Sequence, residues 1–208
     1  MRFPERIKNY IDRQYRSPKG IIGSYIGEKM VRQHQPETLW TIELLQIQAE
    51  DKVLELGCGS GSAMKRILQN TEAGYASGVD LSKTVIRSAK FRNRRAWNEG
   101  KADFTLGDLK NLPYPDRHFH KVYSIHTLYF WEDLLKSLTE IYRVLKPGAI
   151  FIITLSDGAD GEVWEGVKEL LDEFIPMAKS TGFLEVSLIR GSNSRQYHTV
   201  AVTGKKPS

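Results

Sequence analysis

The chain has one cysteine, Cys58, in 208 residues. No internal disulfide can form, and such cysteine usage fits a reducing compartment. No apolar stretch approaches the roughly 18 residues of a membrane span. The opening Met-Arg-Phe-Pro-Glu-Arg lacks the apolar core of a secretory signal, so a cytoplasmic location is expected. The five histidines include no His-x-x-x-His pair, and with one cysteine this gives no recognisable ligand spacing; no metal is expected. Repeats, low-complexity tracts and linkers are also missing, which predicts a single domain over residues 1–208. Residues 1–45 would form an N-terminal helical segment and residues 46–208 an α/β core.

What is present is ordinary for a globular protein, with 40% hydrophobic and 26% charged residues. A net charge of +5 permits contact with nucleic acid without requiring it. The one dense basic run, Lys90 with Arg92, Arg94 and Arg95, falls on a helical pattern and reads as a solvated face. Nucleic acid is therefore not an expected partner.

The informative segment is Val53 to Gly61, Val-Leu-Glu-Leu-Gly-Cys-Gly-Ser-Gly, with Asp80 at the end of the next apolar run. A short buried strand followed by alternate glycines lets the chain turn tightly into a helix while its backbone touches a ligand. A dinucleotide fingerprint would need glycines at 57, 59 and 62, but position 62 is Ser and the third glycine is Gly61. Charge argues the same way, because a pyrophosphate at the helix N-terminus would meet Glu55, whereas a cationic nucleoside would not be repelled. Asp80 lies 23 residues past Gly57, near the separation at which a carboxylate accepts ribose hydroxyls. Cys58, with no basic neighbour, reads as a small side chain in a crowded turn.

From residue 52 onward buried runs alternate with helical patterns, which predicts a mostly parallel sheet covered on both faces. Strands are expected at Val53–Leu56, Tyr75–Val79, Ala102–Leu106, Lys121–Ile125 and Ala149–Leu155. Ser82 would cap a helix whose inner face carries Val85, Ile86, Ala89, Ala96 and Trp97. Another helix would run from Trp131 through Leu134, Leu138 and Ile141 to the stop at Lys146-Pro147-Gly148. A short cap from Asp157 to about Trp164 would precede the last helix, Val163 to about Ile175. Phe183–Leu188 and Tyr197–Thr203, joined by Gly191-Ser192-Asn193-Ser194, would close an antiparallel hairpin. Before the sheet, Ile7, Tyr10, Ile11 and Tyr15, then Leu39, Ile42, Leu44 and Leu45, read as helical. Folded over the carboxyl edge of the strands, such a segment would exclude water and shape an acceptor pocket.

The register Glu55-Leu56-Gly57-Cys58-Gly59-Ser60-Gly61 resembles motif I of the class I S-adenosylmethionine-dependent methyltransferases. Gly78-Val79-Asp80-Leu81-Ser82, Gly107-Asp108-Leu109 and Arg143-Val144-Leu145-Lys146-Pro147-Gly148 follow in the family's order. The chain is similar to the small ubiquinone and menaquinone biosynthesis (type 11) group. The resemblance implies a Rossmann-like seven-stranded sheet of order 3-2-1-4-5-7-6, with strand 7 antiparallel. It also implies S-adenosyl-L-methionine as cofactor and S-adenosyl-L-homocysteine as product. Glu55, Gly57, Cys58, Gly59, Gly61, Asp80 and Leu81 would bind the cofactor. Asp108 would accept from the adenine amino group, with Leu109 facing the ring, and Ser124 and Ile125 at the end of the fourth strand, with Tyr25, would complete the set. Tyr25, Tyr129 and Trp131 are candidate aromatic walls.

The implied activity is methyl transfer by in-line displacement to an unidentified small-molecule acceptor. An RNA or protein methyltransferase, or a non-catalytic S-adenosylmethionine-binding subunit of a complex, stays open as an alternative. Phe119-His120 stands where Phe-Asp is usual. His126, in Ser124-Ile125-His126-Thr127-Leu128-Tyr129-Phe130-Trp131, stands where related sequences often have Asn. For a hydroxyl acceptor a base of histidine's pKa range helps. His126, just past the fourth strand at the active edge, is the catalytic candidate; satisfying a backbone group or touching the cofactor is the other reading.

Overall fold

The computed structural model describes Val31 and residues 33–208. Tyr25 and most of the N-terminal segment lie outside the described residues. The near-continuous apolar runs become strands covered on both sides, as parallel pairing demands: Val53, Leu54 and Leu56 of β1 (Lys52–Leu56) are all buried. Parallel to it run β2 (Tyr75–Asp80), β3 (Ala102–Leu106), β4 (Phe119–Ile125) and β5 (Leu145–Ala159). β8 (Tyr197–Lys205) inserts antiparallel between β5 and β7 (Leu184–Arg190). The order is β3-β2-β1-β4-β5-β8-β7, with the two-residue β6 (Glu162–Val163) paired on β5. Without β6 this is the expected order.

Helices cover both faces. On one, α5 (Leu134–Val144) and α6 (Glu165–Ser180) bury Leu138, Ile141 and Phe174 against Phe151 and Phe183. On the other lie α1 (Gln35–Leu45), α2 (Ser62–Asn70) and α3 (Lys83–Arg92), which bury Leu45, Ile67, Met64 and Ile86. Among the described residues no helix is long and apolar enough to cross a membrane.

Three local expectations differ from the observed chain. The helix after Ser82 breaks at Asn93, whose amide donates to the carbonyls of Gly61 (2.9 Å) and Ala89 (3.0 Å), competing with the helix's own ladder. A short α4 (Arg94–Asn98) follows. Trp97 consequently faces outward, with Lys90 Nζ 5.0 Å from its ring centre. The expected cap after the fifth strand is instead a continuation of β5 and its turn to β6. Buried Asp157 is tolerated there because Arg190 Nη1 lies 3.0 Å from its carboxylate. α5 begins at Leu134 rather than Trp131, since the Asp133 carboxylate caps it by accepting from the Lys136 amide at 2.9 Å.

α1 packs across β4 and β5 with an inner stripe of Glu37, Thr41 and Leu45, four residues apart, two of the three polar. Leu39, expected inside, is exposed. The Thr41 hydroxyl is hydrogen-bonded to the Glu37 carbonyl (2.7 Å) and to the Thr154 hydroxyl of β5 (2.7 Å). Both threonines are fully buried. Thr41→Val preserves shape but strands the Thr154 hydroxyl, which should lower the unfolding free energy by about 1–3 kcal/mol. An unchanged midpoint in urea would show that this pair does not fasten α1.

Candidate active site

Residues 57–61 leave β1 as a turn pinned to the end of β2. The amides of Gly57 and Cys58 donate to the Val79 carbonyl (2.8 and 3.0 Å). Asp80 accepts from the Gly59 amide at 3.0 Å through Oδ2 and from the Ser82 amide at 2.8 Å through Oδ1. All three glycines have positive φ, and their surroundings give each a different reason. A Cβ on Gly57 would stand 2.5 Å from Thr127 Cγ2, and one on Gly61 would stand 2.7 Å from Asn93 Nδ2. A Cβ on Gly59 meets nothing within 4 Å, and this residue borders the cavity. Gly57 permits a close approach, Gly59 leaves room and Gly61 starts α2.

The cavity, of ≈ 200 Å³, opens at the carboxyl ends of the central strands. Glu55, Gly57, Cys58, Gly59, Asp80, Leu81, Leu109 and Ile125 of the expected cofactor set line it. Gly61, Asp108 and Ser124 do not. Asp108 is partly exposed and accepts from the Lys110 amide at 2.9 Å, with the Lys110 ammonium 3.5 Å away. Ser124 is fully buried, its hydroxyl bonded to Thr127. Trp131 borders the cavity and donates to the Thr127 hydroxyl at 3.0 Å. Tyr129 is engaged with β5, donating to the Ser156 carbonyl (2.7 Å) and accepting its amide (2.9 Å).

Opposite the glycine turn the wall is made by α1, the segment before it, and the turn after β4. His126 is the first residue past β4. Its amide donates to the Thr154 carbonyl at 2.8 Å, and its backbone is left-handed, φ 56. Its side chain is 9% exposed, and Nε2 lies 3.8 Å from Glu37 Oε1. The His34 ring stacks on it, tilted, with centroids 4.0 Å apart. Glu37 is 2% exposed. Burial, with His126 alongside, pushes His34 down to about 4, so that ring is neutral at physiological pH. The sequence points to His126 but to neither partner. Their signal is a His34-x-x-Glu37 spacing that places both on one side at the start of α1, and a search for His-x-x-x-His passes over it.

The other histidines and the basic run sit elsewhere. His120, at the far end of β4, accepts from the Lys52 amide at 2.9 Å and pairs with Lys146 Nζ at 2.8 Å. Arg92, Arg94 and Arg95 border a separate groove with Glu50, Gly74 and Lys101, at the amino ends of β1 to β3. That is the sheet edge opposite the cavity. Burial pushes the Cys58 thiol well up, and Gly78 makes room for its sulfur, so it acts as packing.

Electrostatically the glycine side of the cavity favours a cation. Glu55 is 5% exposed and borders the cavity. Burial, aided by the Asp80 charge, raises its carboxyl to about 8, although Tyr123 beside it works the other way. Burial also raises Asp80, against the pull of the Ser82 and Gly59 amides. Two carboxyls that resist ionisation side by side would lose that penalty when a positive ligand arrives.

A family model described as "Methyltransferase domain" matches residues 54–153. The uncharacterized methyltransferase YdaC of Bacillus subtilis (strain 168) is 30% identical over 188 residues, 90% of this chain and 99% of that protein. The putative methyltransferase YrhH of the same organism is 33% identical over 149 residues, 72% of this chain and 77% of its own length. A fatty-acid O-methyltransferase of Mycolicibacterium smegmatis is 32% identical over 103 residues, 50% of this chain and 36% of that enzyme. Among solved structures, the complex of the Haloferax volcanii Trm112 methyltransferase activator with a putative methyltransferase superposes with a TM-score of 0.74. It has 18% identity and covers 88% of this chain and 94% of that chain, a likeness of fold.

Glu55 makes a testable contribution to pH dependence. In the folded chain its proton is held up to about 8, against an ordinary value of 4.5. Between those values the folded state binds more protons than the unfolded one, so this contribution to stability falls as pH rises through the window and levels off above it. Glu55→Gln should gain on the parent by up to about 5 kcal/mol across that range, as read by urea unfolding at its two ends. Parallel pH profiles would mean that Glu55 is already ionised in the folded chain.

Proposed function

This chain belongs to the class I S-adenosylmethionine-dependent methyltransferases of type 11, and we propose that its acceptor is a small molecule that meets the transferable methyl group in front of His126. The observation that carries this reading is the division of one cavity into two unlike halves. The glycine turn, Asp80 and Leu81 make one half; His34, Thr38, His126 and Phe130 make the other. We assign the first half to the cofactor. Asp80 would accept the ribose hydroxyls while holding the Gly59 amide, and the carboxyls of Glu55 and Asp80 would face the cofactor's positive end. Asp108 and Leu109 would serve the adenine, Asp108 from a loop at the rim.

The second half is confined by α1, which leaves space for a compact acceptor rather than a polymer. The related fatty-acid O-methyltransferase, named for a small acceptor, agrees. The basic run, the feature that would favour RNA, lies at the other sheet edge. Transfer needs a lone pair on the acceptor in line with the methyl carbon and the sulfonium. As the new bond forms, the carbon–sulfur bond breaks and S-adenosylhomocysteine is released. Holding the two reactants aligned in a dry site supplies several kcal/mol of the barrier. His126 is the residue assigned to act on the acceptor's heteroatom.

S-adenosylhomocysteine at about 100 times its Kd should stabilise the chain by about 2.7 kcal/mol, raising the melting temperature by several degrees. Asp80→Ala should shrink that shift and Gly59→Val should abolish it. NAD giving the larger shift would overturn the cofactor assignment. In an acceptor panel scored by S-adenosylhomocysteine release, His126→Asn should keep the cofactor-induced shift and lose most turnover. Turnover at the parental rate would remove His126 from the reaction.

A further inference from the structure

We propose, resting on the methyl-transfer reading of this cavity, that His34, Glu37 and His126 bind a divalent transition-metal ion at its acceptor end, and that the ion takes the acceptor through an oxygen atom. One ligand atom from each of the three side chains lies within 4.8 Å of the other two. His34 Nδ1, Glu37 Oε2 and His126 Nε2 are each buried without a hydrogen-bond partner. A carboxylate 2% exposed is seldom found without a paired charge, and Ser194 beside Glu37 offers it a hydrogen bond but no charge. The nitrogen facing it stands at 3.8 Å, too far for a hydrogen bond. A proton shared between Glu37 and His126 would still leave the His34 nitrogen with nothing to bind. One cation satisfies all three.

The donor set and its surroundings agree with a metal. Bond lengths of about 2.0–2.2 Å to zinc require the ligand atoms to draw together modestly, within reach of small side-chain rotations. Two imidazoles and one carboxylate suit zinc, iron, cobalt or nickel better than magnesium or calcium. Three protein ligands leave a coordination position open, as in metal sites that handle substrates, and His34 and His126 both border the cavity. The ligands are anchored from behind. Thr154 holds the His126 amide through its carbonyl and α1, with Glu37, through its hydroxyl. The Tyr129 hydroxyl lies 3.5 Å from His126 Nδ1, where the second nitrogen of a ligating imidazole finds an acceptor.

The acceptor class follows from the ion: a small alcohol, phenol or carboxylic acid. Bound to the metal, its O–H is acidified and releases its proton to water. The oxygen's electron pair then forms the bond to the methyl carbon, and the carbon–sulfur bond breaks with its electrons on sulfur.

The test is titration of the chelator-stripped full chain with Co(II), followed by competition with Zn(II). The expected result is one equivalent of Co(II) per chain, with the visible d–d absorption of a nitrogen and oxygen site, displaced by Zn(II). His34→Asn and Glu37→Gln should each abolish it, and His198→Asn should leave it intact. The S-adenosylhomocysteine melting shift in each variant reports folding and cofactor binding separately. Absence of saturable Co(II) binding, or binding that survives both His34→Asn and Glu37→Gln in folded protein, overturns the metal site. If turnover is then still lost in His126→Asn, Glu37 and His126 work as a metal-free proton-accepting pair and the methyl-transfer reading stands. Stoichiometric Co(II) binding with no response to S-adenosylhomocysteine overturns the methyl-transfer reading instead.

Discussion

The two halves of the cavity meet across a missing methyl group. At Gly57 any side chain would drive a carbon to 2.5 Å from Thr127, and Thr127 is the residue immediately after His126. The glycine turn after β1 and the turn after β4 are therefore in contact, each limiting where the other can be. Leu56 pairs with Val79 on one side and Ser124 on the other, so sheet register brings the two turns to the same level. The Asp80 carboxylate, at the end of β2, completes the arrangement by holding the Gly59 amide. Substitution at Gly57 would disturb both halves, whereas a side chain at Gly59 enters the open space of the cavity and also strains a left-handed backbone, φ 51.

The glycine-turn half was legible in the sequence because its geometry is local. Glu55, Gly57, Gly59, Asp80 and Leu81 lie in two short segments, and the backbone conformations they impose mark the turn whatever packs around it. The sheet was legible for a similar reason, since fully buried parallel strands leave continuous apolar runs. The half lined by His34, Thr38, His126 and Phe130 was not. Its members come from α1, the segment before it and the turn after β4, so their proximity is a tertiary fact. α1 in particular misleads a reader who looks for an apolar inner stripe: Glu37 and Thr41 face the sheet and Leu39 faces water. The break at Asn93 was hidden for the same reason, because its carbonyl partner Gly61 is 32 residues away.

Charge is sorted across the sheet rather than concentrated. The carboxyls with the highest need for a cation, Glu55 and Asp80, sit at the carboxyl edge. The guanidinium groups of Arg92, Arg94 and Arg95 gather at the amino edge beside Glu50 and Glu72. A positively charged reactant thus approaches an edge free of that basic cluster, although the chain as a whole carries +5.

The backbone at His126 narrows what can face an acceptor. Its φ of 56 is a conformation that glycine adopts freely, that asparagine, aspartate and histidine tolerate, and that β-branched residues resist. The turn therefore filters the amino acids that can occupy this wall before any chemistry is considered. Asparagine and histidine both pass the filter. Exchanging one for the other changes the chemistry of this wall and leaves the glycine turn untouched.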